Sequence, residues 1–280
     1  MTDYLADRFD LDSPELVSAL DEVSLWSAMF GLLLLKHVRL KPGMKVLDVG
    51  CGIGFPLLEL AQRLGPSSKV VGIDPWAAAL NRARRKAAAL KIRNVEIHEG
   101  DGAALPFADR EFDLIVSNIG VNNFDDPEAV FAQCRRVSKP SAQIVLTTNP
   151  RGHMEEFYEL FASTLKELDL SRRLGRLKDH IDHRMSAEGI SEMLERAGFR
   201  VVRLVRDTFP MRFADGSAML GHAFMRIGFL DGWRSVLEPA EEAEFFPRLE
   251  SNLNRLAQAK GALELTIPAA YLEGETMMAN

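Results

Sequence analysis

Five short apolar runs recur along the first half of the chain, at Lys45–Gly50, Lys69–Asp74, Val95–Glu99, Phe112–Ser117 and Gln143–Thr148. Each has strand length, and several are rich in valine and isoleucine and almost continuously hydrophobic, the pattern of strands covered on both faces. Between them, Phe55–Leu64, Pro75–Leu90 and Pro127–Val137 carry apolar residues at helical spacing. Strand and helix alternate, which predicts parallel strands joined by helical crossovers in a doubly wound α/β fold.

The flanks follow other periods. Leu16–His37 reads as helix with an interruption near Leu25–Gly31, and it has no strand of its own, so residues 1–40 are expected to form a helical cap. After the fifth strand, Met154–Leu168 and Ser186–Ala197 read as helices, with Ser186 as N-cap and Gly198 closing the second at C′. A sixth strand is expected at Phe199–Val205, then a Met- and Phe-rich helical stretch at Ser217–Leu237, a helix at Ala240–Ala259 and a last alternating run at Ala262–Pro268. The sum is one domain with a mainly parallel seven-stranded sheet: cap 1–40, ligand-binding core 41–150, and a C-terminal half 151–280 whose helical insertion, 209–259, precedes the last strand. No repeat, low-complexity tract or linker marks a second domain.

Composition narrows the function classes. With 280 residues, 47% apolar and 26% charged, the chain can bury a full core. Its longest apolar stretch, Met29–Leu35, falls far short of the roughly 20 residues a bilayer helix needs, so no membrane insertion is expected. The opening MTDYLADRFD has acids where a secretory leader carries basic residues, and the cytoplasm is the expected compartment. Two cysteines make neither a disulfide framework nor a metal cluster. The formal charge of −6 disfavours a polyanionic partner, because phosphate binding relies on neutralisation by Lys and Arg. The RARRK cluster at 82–86 lies on a helical pattern and reads as a solvated face rather than a nucleic-acid patch.

The chemistry starts at Asp48-Val49-Gly50-Cys51-Gly52-Ile53-Gly54. Glycines at 50, 52 and 54 allow a tight turn, close ligand approach and close packing of the next helix. A dinucleotide fingerprint spaces its glycines G-x-G-x-x-G, whereas here Phe55 stands where the third would fall. Asp48 just before the turn would repel a pyrophosphate, yet it suits a ligand carrying an ammonium group. Asp74, twenty residues past Gly54, ends the second strand where an acid accepts from ribose hydroxyls. It also reads as an N-cap ahead of Pro75, and both roles are compatible. A third acid, Asp101, sits in EGDGAALPF after the third strand.

Together these segments resemble the class I S-adenosylmethionine-dependent methyltransferases, nearest in style to the small-molecule branch that includes the ubiquinone and menaquinone enzymes, over residues 40–150. The resemblance implies a Rossmann-like fold and S-adenosyl-L-methionine as cofactor. It implies that Asp48, Gly50, Cys51, Gly52 and Gly54 hold the methionine moiety, that Asp74 takes the ribose hydroxyls, and that Pro75 and Trp76 cover one face of the adenine. Gly100, Asp101 and Gly102 would meet the adenine edge, and Ser117, Asn118 and Ile119 would pass beneath the sulfonium. Ser117-Asn118-Ile119-Gly120 departs from the Asn-Pro-Pro-Tyr signature of planar-amine methylation, and no Pro-Cys pair offers a covalent nucleophile. Ser141 and Ala142 stand where the family usually carries glycines.

Methyl transfer needs alignment and exclusion of water more than a base. Where an alcohol or protonated amine is the acceptor, His153 is the first candidate base and His222 the second, each with packing or surface exposure as its alternative. His180 and His183 in DHIDHR share a helical face but lack a third ligand cluster, so no metal is expected. Trp26 and Phe30 are read either as a lid over the cofactor or as packing of their helix on the sheet. The Met- and aromatic-rich flank favours a small hydrophobic or aromatic acceptor. A non-catalytic cofactor-binding protein and a nicotinamide oxidoreductase are the rival readings, and the oligomeric state is not legible.

Overall fold

The computed structural model describes residues 3–23 and 25–277. The chain runs through α1 (Pro14–Val23), α2 (Leu25–His37), β1 (Lys45–Val49), α3 (Leu57–Leu64), β2 (Lys69–Asp74), α4 (Ala77–Ala89), β3 (Val95–Glu99), β4 (Phe112–Asn118), α5 (Pro127–Val137) and β5 (Ser138–Thr148). It continues through α6 (Glu155–Glu167), α7 (Leu174–Asp182), α8 (Ala187–Arg196), β6 (Phe199–Phe213), the short helices α9 (Gly216–Gly221), α10 (Ala223–Met225) and α11 (Asp231–Arg234), then α12 (Pro239–Lys260) and β7 (Leu263–Thr276). A π-helical turn, Arg226–Leu230, joins α10 to α11.

The sheet has seven strands in the order β3-β2-β1-β4-β5-β7-β6. Strands β1 to β5 pair in parallel, and β7 runs antiparallel to β5 through Ala270–Glu275. Successive crossovers leave β1 in opposite directions, so the switch point lies between β1 and β4, where ligands collect beyond the carboxyl ends of the strands.

Two compact units result: residues 10–149, 186–207 and 269–280 form one, and residues 1–9, 150–185 and 208–268 the other. In the first, Val46, Leu47, Leu114, Ile115, Val116, Ile144 and Val145 are all buried completely. Each such side chain contributes roughly 1.5–3 kcal/mol relative to exposure. The edge strand β3 is only half covered, contrary to the reading of strands buried on both faces. Asp21 of α1 takes Arg82 at 2.8 Å and Lys86 at 2.6 Å, so this part of the basic cluster docks one helix on another.

In the second unit α6 packs on α12, with Phe161 and Phe245 rings 4.5 Å apart, and Phe157 lies 4.4 Å from Trp233. Met219, Met225 and Phe229 are buried too, so much of the Met- and Phe-rich stretch is core. Glu238 and Glu241 form a reciprocal capping box at the start of α12, behind an N1 proline, and Gly261 ends the helix at φ 83°.

Several expected boundaries shift. The break in the N-terminal helix falls before Leu25 rather than within Leu25–Gly31, and Ser24 lies outside the described residues. Strand β6 extends eight residues past Val205, and β7 pairs beyond Pro268, where the expected run stopped. Ser186 caps α8 as expected, accepting from Gly189 N at 3.0 Å. Among the described residues no single helix is long and apolar enough to cross a membrane, while α1 and α2 pass the test only as a pair bent by 52°.

Candidate functional site

The turn after β1 is held by the strand beside it. Gly50 N and Cys51 N both donate to Ile73 O, at 2.9 and 3.2 Å, and Gly52 N donates to Asp74 Oδ2 at 2.8 Å. Asp74 Oδ1 accepts from Trp76 N at 2.8 Å, so the carboxylate serves both the turn and the start of α4. Each oxygen retains a lone pair for a further donor.

The three glycines do different work. All have positive φ, at 77°, 47° and 95°. A Cβ on Gly54 would touch Ala83 and Leu58 at 3.0–3.2 Å, so that residue lets α3 and α4 close on each other. A Cβ on Gly52 would meet nothing within 4 Å. Gly52 thus presents bare backbone to open space. The Cys51 side chain turns inward instead, its sulfur 2.8 Å from where a Gly72 Cβ would sit, and burial pushes its thiol pKa well up.

The end of β4 closes on the same turn. Ser117 Oγ donates to Val49 O at 2.6 Å. Asn118 Nδ2 donates to Ser27 O at 3.0 Å, and Asn118 Oδ1 accepts from Thr147 Oγ1 at 2.7 Å, tying α2 and β5 to the strand end. Ile119 is left-handed at φ 55°, costly for a β-branched residue, and its N–H is held by Thr147 through both O and Oγ1. A Cβ on Gly120 would fall 2.3 Å from Ser117 Oγ and 3.1 Å from Val49 O. Sequence reading passed over Gly120, whose signal is a third close approach next to the glycine turn.

The expected adenine segments also gather here. Gly100 N donates to Asp74 O at 3.1 Å, a Cβ on Gly102 would press on Val49 at 2.9 Å, and exposed Asp101 caps a short turn through Ala103 N. Pro75 is exposed and Trp76 half-buried, and the Trp76 indole N–H donates to Leu11 O at 3.0 Å, a contact with no signature in the sequence. Trp26 is half-buried, its ring 5.4 Å from that of fully buried Phe30.

Electrostatics single out Asp48. It is fully buried, and neither carboxylate oxygen has a hydrogen-bond partner of ordinary geometry. Burial first, and the nearby Asp74 second, push its pKa up to about 8, with only the Leu57 N–H opposing. Asp74 is raised by burial and held back by the N–H groups of Trp76 and Gly52. Asp48 is therefore mostly protonated near pH 7 in the empty protein, and a cation placed beside it would favour its ionisation where a pyrophosphate would oppose it.

The candidate bases and the histidine pair lie in the other compact unit. His153 is buried, its ring stacked on Phe229 at 5.2 Å. Burial, then Arg184 and His180, pull its pKa well below the ordinary histidine value. His222 is exposed and meets Phe213 edge-on. His180 Nε2 lies 3.1 Å from Tyr158 Oη while His183 is exposed, and no group of metal-ligating side chains occurs among the described residues.

A sheet of this order, with β7 reversed and acids at the ends of β1 and β2, defines a class I S-adenosylmethionine-dependent methyltransferase, with S-adenosyl-L-methionine as its cofactor. The chain belongs to the family described as "Methyltransferase domain", whose model matches residues 40–198. It is 30% identical over 250 residues to nocamycin O-methyltransferase of Saccharothrix syringae, covering 86% of this chain and 88% of that one. It is 29% identical to a demethylmenaquinone methyltransferase of Lactobacillus johnsonii, over 61% of this chain and 74% of that one. A crystal structure of an S-adenosylmethionine-dependent methyltransferase from Aquifex aeolicus superposes with a TM-score of 0.54 at 27% identity, covering 71% and 93% of the two chains. The chain is accordingly a small-molecule methyltransferase.

Asp48 yields a stability prediction. An acid whose folded pKa lies above its unfolded value, near ~3.9, adds stability that is complete below the unfolded value and lost as pH rises through the folded one. In the ligand-free protein, Asp48→Asn should therefore gain on the wild type by several kcal/mol across the interval from about pH 4 to about 8. Urea titrations through that interval check it, and a pH-independent difference would contradict the orphaned carboxylate.

Proposed function

We propose that this enzyme transfers a methyl group from S-adenosylmethionine to a small hydrophobic or aromatic acceptor. The observation that carries the acceptor class is the cluster of Phe157, Tyr158, Phe229, Trp233 and His153, in which Phe229 lies nearly parallel to both Trp233 and His153. The rings pack on one another and are buried, and surroundings this rich in aromatic side chains favour ring-shaped ligands. Two relatives, a nocamycin O-methyltransferase and a demethylmenaquinone methyltransferase, agree by name with that reading. A panel of lipophilic aromatic and highly polar acceptors, scored by S-adenosylhomocysteine formation, tests it. Turnover confined to the polar members would sink the acceptor class.

When bound, S-adenosylmethionine supplies an electrophilic methyl on a sulfonium. In this reading Gly50, Cys51, Gly52 and Gly54 shape the turn that receives its amino-acid end, with Asp48 ionising to face the ammonium. Asp74 spends its remaining lone pairs on the ribose hydroxyls, and Pro75, Trp76, Gly100, Asp101 and Gly102 frame the adenine. Ser117, Asn118 and Ile119 floor the sulfonium, and Trp26 covers it. His153 acts as the acceptor's base: burial keeps its imidazole unprotonated near pH 7 while making it a weaker base than an ordinary histidine; His222 is the second candidate.

Two substitutions test the cofactor roles by calorimetry with S-adenosylhomocysteine. Asp74→Ala should lose about 1–3 kcal/mol of binding and bind the 2′-deoxy analogue as well as the parent compound, a discrimination that the wild type keeps. Gly52→Ala should cost the fold about 1–2 kcal/mol at its left-handed φ and weaken binding about tenfold or more. Undiminished binding in either variant removes that residue from the site. For the base, His153→Gln should lower kcat more than it raises KM and abolish an acidic limb lying below the ordinary histidine range of about 6.5; an unchanged pH profile would leave His153 a packing residue.

A further inference from the structure

Arg184 follows α7 and is half-buried in the unit that holds the aromatic cluster. Among the described residues no carboxylate pairs with its guanidinium, while surface neighbours such as Arg151 and Lys178 share Asp182. Its surroundings are aromatic and cationic. The guanidinium carbon stands 5.8 Å from the centre of the Phe229 ring, whose neighbours at 5.2 and 5.9 Å are the rings of His153 and Trp233. Tyr158 Oη accepts from Trp233 Nε1 at 3.4 Å and meets His180 Nε2 at 3.1 Å. Burial lowers the Arg184 pKa with only Tyr158 opposing, and the same positive charge depresses both His153 and His180.

A guanidinium withdrawn from water without a counter-charge is costly. One face of Phe229 recovers a fraction of that cost, on the order of 1 kcal/mol. The cluster is also built with care. Gly232 leaves room for the His180 ring, which a Cβ there would strike at 2.7 Å, and Phe229 is presented from the π-helical turn, a local irregularity that recurs at functional sites. The planar fork of donors on Arg184 is complementary to a planar oxyanion, and Phe229, His153, Trp233 and Tyr158 around it, each at most 8% exposed, give it an apolar border that suits an apolar body bearing one.

We propose that Arg184, with Tyr158 and the Phe229–His153 stack, forms a subsite that recognises a planar oxyanion carried on an apolar ring, such as an aromatic carboxylate, a phenolate or an enolate. The proposal rests on the small-molecule acceptor reading and narrows it: the acceptor enters as an acid and not as a neutral lipophile.

The test compares 1-naphthoate with 1-naphthamide, equal in shape and different in charge, by calorimetry on the full-length protein with S-adenosylhomocysteine present. The wild type should bind the carboxylate about tenfold or more tightly than the amide. Arg184→Met should erase that preference while its affinities for the amide and for S-adenosylhomocysteine hold, and Arg184→Lys should restore part of it. Equal affinities in the wild type, no binding of naphthoate, or a preference that survives in Arg184→Met overturns the proposal. The wild-type comparison stands even if a variant fails to fold. Because it reads binding, it also separates the two claims: selectivity without any methyl transfer keeps the subsite and sinks the enzymatic reading, and methyl transfer without selectivity does the reverse.

Discussion

The carboxylate of Asp74 is the constraint from which the cofactor end of the molecule follows. By accepting from Gly52 N on one side and Trp76 N on the other, it joins the turn after β1 to the beginning of α4. The parallel register of β1 on β2, Val49 opposite Ile73, brings the two strand ends level so that one side chain can reach both. Charge-assisted bonds to backbone N–H groups are stronger than neutral ones, so the turn is arranged before any ligand arrives. A pre-arranged turn spares a ligand the cost of ordering it.

Asp48 works in the opposite sense. It adds nothing to the turn by hydrogen bonding, and burial beside Asp74 makes its charge expensive. An apolar residue of similar size would give a more stable strand end. Such an expense is typical of sites where stability is given up for recognition. The two acids differ in kind, one shaping the backbone through its hydrogen bonds and the other buried without them.

Strands β1 to β4 and helix α5 were legible in the sequence to within a residue or so because their signals are local: short apolar runs for the strands and apolar residues at helical spacing for the helix. The glycine turn and the acids at 48, 74 and 101 were legible for the same reason. Other features depend on partners distant in the chain. The expected runs stop at Val205 and Pro268, yet β6 continues through Pro210 and β7 through Pro268, and the pairing of β7 with β5 uses Ala270–Glu275 and includes Gly274, which propensity disfavours. The uniform Met- and Phe-rich stretch at 217–237 hid three short helices and a π turn, since hydrophobic content alone does not set helix boundaries. Gly120 is one more glycine until Ser117 Oγ is found in the space its Cβ would need. Arg184 is invisible in sequence, because an arginine beside aspartates and histidines looks paired until the fold turns Asp182 toward Arg151 and Lys178.

The departures from local preference have a pattern. Ile119 and Met154 adopt left-handed backbone without being glycine, and among the described residues Asp48 is a buried acid without a cationic partner and Arg184 a half-buried cation without a paired carboxylate. Left-handed residues of this size persist only where surrounding bonds over-determine them, as Thr147 does for Ile119 and Thr266 O does for the N–H of Met154. Ile119 directly follows the end of β4, on the edge at which doubly wound sheets bind ligands. On the reading proposed above, the buried acid in one compact unit is the group that would ionise beside the ammonium of the cofactor, and the half-buried cation in the other is the group that would meet the anion of the acceptor. Each residue is unfavourable in the empty protein for the reason that makes it selective toward its ligand.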